Sequence, residues 1–209
     1  CGIHNGGAAA SRHDGIHRFF VEDGARVRYV EKHYGEGDGS GERIMNPTTE
    51  VTLGKNCQME MEMVQIRGID STNRVTTAHL GEGSKLLVRE RLLTHGKQHA
   101  ESTYEVFLEG DGSSTDVSSR SVARDSSEQI FYAKLHGDAR CAGHSECDAI
   151  LMDNAKIRSI PEIAADNTEA ALIHEAAIGK IAGEQIIKLM TLGLSEQEAE
   201  AQIISGFLK

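Results

Sequence analysis

Polar and apolar residues alternate with period two through much of this chain, most clearly in Arg26-Val27-Arg28-Tyr29-Val30-Glu31 and Met59-Glu60-Met61-Glu62-Met63. Successive side chains on a strand point to opposite faces, so such runs predict strands with one buried face. A longer rhythm overlies this one. Leu53-Gly54, Leu80-Gly81, Leu108-Glu109-Gly110 and Leu135-His136-Gly137 start 27, 28 and 27 residues apart. Each closes an alternating segment and opens a turn rich in Gly, Asp or Ser. Repeats of this length predict stacked solenoid coils or a meander of long hairpins.

The pattern changes near the C-terminus. From Ala182 to Leu192 the apolar residues Ile186, Ile187, Leu189 and Met190 fall on a helical stripe, with Gly193 as the stop. Ser195-Glu196-Gln197-Glu198 has the form of a capping box and opens a second helix with Ala199, Ile203, Ile204 and Phe207 on its apolar face. Two helices this short cannot bury their stripes alone and must pack on the β body or on a partner. The expected division is a β core over residues 1–178 and a helical domain over 179–209.

Composition narrows the function. With 39% hydrophobic and 26% charged residues the chain has the make-up of an ordinary globular protein, but aromatics are only 4% and Trp is absent, so its core must be aliphatic. A net charge of −10 argues against a phosphate backbone or an anionic membrane surface as partner. No apolar run approaches the ~20 residues of a membrane span. The chain opens on Cys1 rather than Met, and further N-terminal sequence is expected to be missing. Four cysteines in 209 residues do not form the pattern of a disulfide framework. Free, ligating or sulfur-carrying thiols and a cytoplasmic location are expected.

The candidate chemistry gathers late in the chain. CAGHSEC places Cys141, His144, Glu146 and Cys147 within seven residues, and thiolates and imidazoles are the donors that iron, zinc and iron–sulfur clusters select. On one straight strand Cys141 and Cys147 would share a face but lie about 20 Å apart. A turn at Ala142-Gly143 would instead bring Cys141, His144 and Cys147 together. Cys147 also reads as a small hydrophobe inside the coils. His174-Glu175 follows an apolar stretch, and adjacent strand residues face opposite ways, so at most one of the two points into the core. Cys57 and the Met59, Met61, Met63 stripe read as core. His13 and His17 form a spaced pair broken by an Asp-Gly turn signal. The glycine-rich turns 35–42 and 110–114 lack the spacing of a calcium loop. No GxxxxGK[ST] sequence is present, so nucleotide hydrolysis would belong to another subunit. An enzyme acting on polysaccharides is disfavoured by the lack of aromatic platforms for sugar rings.

Several segments resemble the SufB/SufD family of iron–sulfur cluster scaffolds. HEAAIGKIAGEQIIKLMTLGLSEQEAEAQIISGFL is similar to the family's C-terminus, ECDAILMDN to its Gln-Cys-Asp strand, and SSRSVARDSSEQIFYAKL to its Ser-Lys-Ser segment. NCQMEMEMVQI and GARVRYVEKHYG resemble earlier coils. The resemblance spans the chain and is closest to short SufB-like scaffolds of archaea and anaerobes. It implies a right-handed parallel β-helix with a small helical domain that docks on the ABC-type ATPase SufC. It also implies a transient iron–sulfur cluster, and pairing of a single-gene relative with itself as a homodimer through edge coils. The alternative is a SufD-like adaptor that binds the ATPase without holding a cluster.

Two positions depart from the family. The cluster-nucleating cysteine is replaced at Ala155, and the Glu before His-Glu is replaced at Ile173. The expected iron ligands are therefore Cys141, Cys147 and Glu175, completed by His174 or His144. The 27 residues from Cys147 to His174 suggest that Cys147 lies one coil beneath His174-Glu175. Cys1, within one residue of the family's sulfur-accepting cysteine, and Cys57 are candidate sulfur acceptors. Ile187 and Leu189 are the expected ATPase contacts.

Overall fold

Strands that alternate in polarity and are joined by corners of a few residues bury their apolar faces by coiling upon themselves. The structure, a computed structural model, describes residues 1–209 and shows such coils. The irregular first turns carry β1 (Gly2–His4), β2 (Ser11–His13), β3 (Ile16–Val21), β4 (Arg26–Glu36), β5 (Arg43–Met45) and β6 (Thr48–Leu53). Regular coils follow with β7 (Gln58–Arg67), β8 (Ser71–Leu80), β9 (Lys85–Thr94), β10 (His99–Leu108), β11 (Ser114–Ala123), β12 (Glu128–Gly137) and β13 (Ala142–Leu151). The last coil carries β14 (Lys156–Ala165) and β15 (Ala171–Gly179), and the helices α1 (Gly183–Thr191) and α2 (Glu196–Phe207) end the chain. One sheet has the order β1-β4-β7-β9-β11-β13-β15; the other runs β14-β12-β10-β8-β5-β2, with β6 bridging β8 and β3. Every pairing is parallel. The architecture is the β-solenoid the alternation and the family resemblance point to.

The repeat landmarks stack imperfectly. Leu53 pairs with Leu80 and Leu80 with Leu108, but Leu108 pairs with Gly137, so Leu135 lies two residues short of its expected column, inside β12. The corners turn through the left-handed region, occupied by Gly83 and Gly96 and also by Asn56, Asp125 and Asp153 at φ of 55, 58 and 56°. Asn and Asp are the residues besides glycine that enter it most readily. The aspartates also tie one corner to the next: Asp125 accepts from the Gly96 amide at 2.6 Å, and Asp153 from the Asp125 amide at 3.0 Å.

Inward positions form the core. Met59, Met61 and Met63 are buried with Cys57, Leu80, Val88, Leu108 and Leu135 in a cluster of 20 residues. In phase with these apolar residues, however, stand buried charges. Glu90 accepts hydrogen bonds from Ser102 at 2.6 Å, Tyr104 at 3.0 Å and Ser119 at 2.8 Å, and its carboxylate lies 3.6 Å from Arg74. Arg74 in turn donates to Nδ1 of His33 at 3.0 Å, and His33 Nε2 lies 2.7 Å from Glu31. Burial and the nearby Glu90 carboxylate push the Tyr104 phenol well above its usual range.

At the C-terminal end, Ile204 of α2 and Leu208 just after it pack on the solenoid near Val122, Leu93 and Ile150. The capping box is formed: Ser195 Oγ accepts from the Glu198 amide at 3.3 Å and the Glu198 carboxylate accepts from the Ser195 amide at 2.8 Å. In contrast α1 buries no residue; it leans on α2 and leaves Ile187 62% and Leu192 75% exposed.

Removing one member of a buried charge pair strands the other and costs about 3–5 kcal/mol. Arg74→Met should therefore lower stability by about that amount, read as a lower urea midpoint at unchanged slope. A loss below about 1 kcal/mol would mean that the hydroxyl groups around Glu90 suffice without the guanidinium.

Candidate functional site

The donors singled out from the sequence lie on the last two strands of one sheet. β13 and β15 pair in register, with Ser145 beside His174, Glu146 beside Glu175 and Cys147 beside Ala176. The coil spacing here is two residues longer than the 27 expected, so Cys147 is not directly beneath His174-Glu175. Parity survives a two-residue slip, and Cys147 and His174 still share the inner face, displaced about 7 Å along the strand. Ser145 Oγ lies 2.9 Å from His174 Nδ1. Burial, reinforced by His144, lowers the His174 pKa, which keeps the imidazole neutral and its other nitrogen free to bind a metal.

The structure corrects the expected local site of Cys141, His144 and Cys147. No turn folds this segment back. Cys141 precedes β13 at a corner, while His144 and Cys147 stand on opposite faces of the strand. Cys141 is buried near Gly137 and lies about 20 Å along the chain from Cys147. His144 points outward, 3.5 Å from Asp116, at the edge of a groove of about 860 Å³ that crosses the starts of β4, β7, β9, β11, β13 and β15. Glu175 also faces outward, beside Glu146, whose carboxyl is raised by burial and by Asp148. One chain therefore brings Cys147 and His174 to one face and His144, Glu146 and Glu175 to the other.

The four thiols differ sharply in environment. Cys1 is exposed, and the other three are buried. Cys57, the other candidate sulfur acceptor, packs in the core and donates to the Glu22 carbonyl at 3.0 Å. Burial raises the Cys141 thiol, and pushes Cys147 up to about 11. Ala155 follows the Asp153-Asn154 corner, the place where the resemblance puts a nucleating thiol.

Sequence reasoning missed the buried polar lane inside the coils. In register down one column run Glu31, Met63, Glu90, Ser119 and Cys147. Its signal was present: Val27, Tyr29, Glu31 and His33 share one phase, so a strand that buries Val27 and Tyr29 must take a carboxylate and an imidazole inside with them.

The fold and its edge define a class: a parallel β-solenoid with a helical tail, bearing thiol, imidazole and carboxylate donors on the last two strands of one sheet, β13 and β15. The chain belongs to the SufBD family, since the family model described as SUF system FeS cluster assembly, SufBD core domain, matches residues 2–207. It is 31% identical over 205 residues to an iron–sulfur cluster assembly SufBD family protein of Methanothermobacter thermautotrophicus, a match covering 96% of this chain and 48% of that protein. It is 32% identical over 166 residues to a SufBD family protein of Pyrococcus horikoshii, covering 78% and 37% of the two chains. To the iron–sulfur cluster assembly protein SufB of Bacillus subtilis it is 28% identical over 133 residues, covering 62% and 29%. The chain thus spans about half the length of the first of these relatives or less. No helix is long and apolar enough to cross a membrane.

Thiolates, not thiols, react with alkylating agents. Brief iodoacetamide treatment of the native protein at mildly alkaline pH should therefore label Cys1 and spare Cys57, Cys141 and Cys147, as read by peptide mass spectrometry. Comparable labelling of Cys147 would show that the last coil opens readily.

Proposed function

We propose that this chain is a platform on which an iron–sulfur cluster is assembled and from which it is passed on. The observation that carries the reading is His174-Glu175 on β15, an edge strand, with His174 sharing the inner face with Cys147. The cluster is cargo. His174 offers a neutral imidazole steadied by Ser145 and Cys147 a thiol whose proton iron must displace, while Glu175, on the outer face of the same edge strand, offers a hard carboxylate only to a cluster shared with a second copy. Such mixed ligation holds a cluster less firmly than four thiolates, which suits a site that releases it. Cys141 and His144 fall outside this coordination sphere. Cys1, the exposed thiol, is the better placed sulfur acceptor, ahead of Cys57.

Two partners complete the reading. A second copy meets this one at the β14–β15 end, where unpaired strand edges and the exposed side chains of Ile160, Ile163, Ile173 and Ile178 need cover. Such pairing would bring two His174-Glu175 segments to one interface. A SufC-like ABC-type ATPase grips the open face of α1 around Ile187 and Met190 and supplies ATP hydrolysis. Leu189 is half-buried and contributes less. An adaptor that binds the ATPase and holds no cluster is the second reading, favoured by the burial of three of the four thiols.

Anaerobic reconstitution with iron and sulfide separates the two. The parent should develop thiolate-to-iron absorption, and His174→Ala and Cys147→Ser should each lose most of it. A parent that takes up no iron and sulfide belongs to the adaptor reading. For the ATPase, Ile187→Asp should abolish co-purification without changing the β-sheet circular dichroism. Retained binding would remove α1 from the interface.

A further inference from the structure

We infer that Cys1, Glu31 and His33 form a second metal site, for a single divalent ion of the iron(II) and zinc type, at the opposite end of the solenoid from His174-Glu175. It shares no residue with the His174-Glu175 site, since β1 and β15 are the two ends of their sheet, but it takes as ligand Cys1, the thiol proposed above as sulfur acceptor. One donor atom from each of the three residues lies within 4.8 Å of the others. Metal–ligand bonds of about 2.0–2.3 Å need them somewhat closer, which the exposed Cys1 side chain can supply.

Two further observations point to a cation. Glu31 is only 4% exposed, yet its Oε2 has no hydrogen-bond partner. His33 at 2.7 Å and His17 at 3.7 Å both approach Oε1, leaving the other oxygen bare. An orphaned buried carboxylate oxygen is costly. The charges do not balance either. Glu31 and Glu90 are both buried against one guanidinium, Arg74. Adding a divalent ion and the Cys1 thiolate neutralises the Glu31 end and leaves Arg74 matched to Glu90.

The present hydrogen bonds show what loading requires. Arginine only donates, so Nδ1 of His33 accepts from Arg74 and the ring proton sits on Nε2, facing Glu31. An incoming ion takes the place of that proton. The ring stays neutral by carrying its proton on Nδ1, and Arg74 then leaves Nδ1 for Glu90, already 3.6 Å away. The Cys1 thiol releases its proton to solvent. A thiolate, a carboxylate and an imidazole leave one tetrahedral position open on the solvent side, where an exchangeable ligand can bind.

The test is titration of the full chain with cobalt(II), anaerobically and without sulfide. One cobalt per chain should bind with thiolate-to-cobalt charge-transfer absorption. Cys1→Ser, at an exposed position, should abolish that band, and Glu31→Gln and His33→Gln should each weaken binding at least tenfold. X-ray absorption of the cobalt-loaded parent should show one sulfur among nitrogen and oxygen ligands, a readout that needs no variant to fold. The inference is overturned if the parent shows no such band, or if Cys1→Ser keeps it. It is equally overturned if folded Glu31→Gln and His33→Gln bind as tightly as the parent, for then Cys1 acts alone.

Discussion

Everything in this molecule depends on the in-register, parallel stacking of one coil on the next. Backbone hydrogen bonds hold neighbouring strands about 4.8 Å apart, and each strand sets its inner and outer residues in columns continuous with those before it. The column through Glu90, Ser119 and Cys147 exists only because β9, β11 and β13 keep one register over ten residues. Parallel sheets are usually covered on both faces by helices and then show unbroken apolar runs. Here the connections are short corners, the outer faces stay wet, and strict alternation persists in parallel strands.

The same stacking makes the interior unusual. With 4% aromatic residues and no Trp, the coils are filled by Met, Leu, Val and Ala, and their first half also encloses Glu31, His33, Arg74 and Glu90. Burial works against the charge of Glu31, but the hydrogen bond from His33 and the nearby Arg74 prevail, and its carboxyl stays below its usual range. Burial lowers His33 in turn, keeping it neutral. Such a network is expensive to enclose and is destabilising when one member is lost, so its presence calls for a use beyond stability. A bound cation at its open end is one that its charges and its orphaned oxygen both call for.

A solenoid also has ends, and there the pattern is incomplete by construction. β15 buries far less than β13 although the two pair closely, because nothing stacks on its far side. His174 and Glu175 owe their accessibility to that position.

How much of this could be read from the chain alone depends on the interaction concerned. Alternation in Arg26–Glu31 and Met59–Met63, the Gly and Asp corners and the Ser195-Glu198 capping box are local, and they determined the strands, the coils, the helices and the face each side chain takes. The inward phase of Glu31 and His33 was equally legible, though it reads as a charge out of place until Arg74 and Glu90 are seen around it. Register was not legible. Corners differ by one or two residues, so the repeat runs at 27 residues in one coil and 29 in another. A slip of two leaves the inner face intact and moves the partner, which is why Cys147 meets Ala176 and not His174. The sequence by itself determined which side chains go inside; only the tertiary structure decided which of them meet, because contact between coils is set by hydrogen bonds that close across nearly thirty residues of chain.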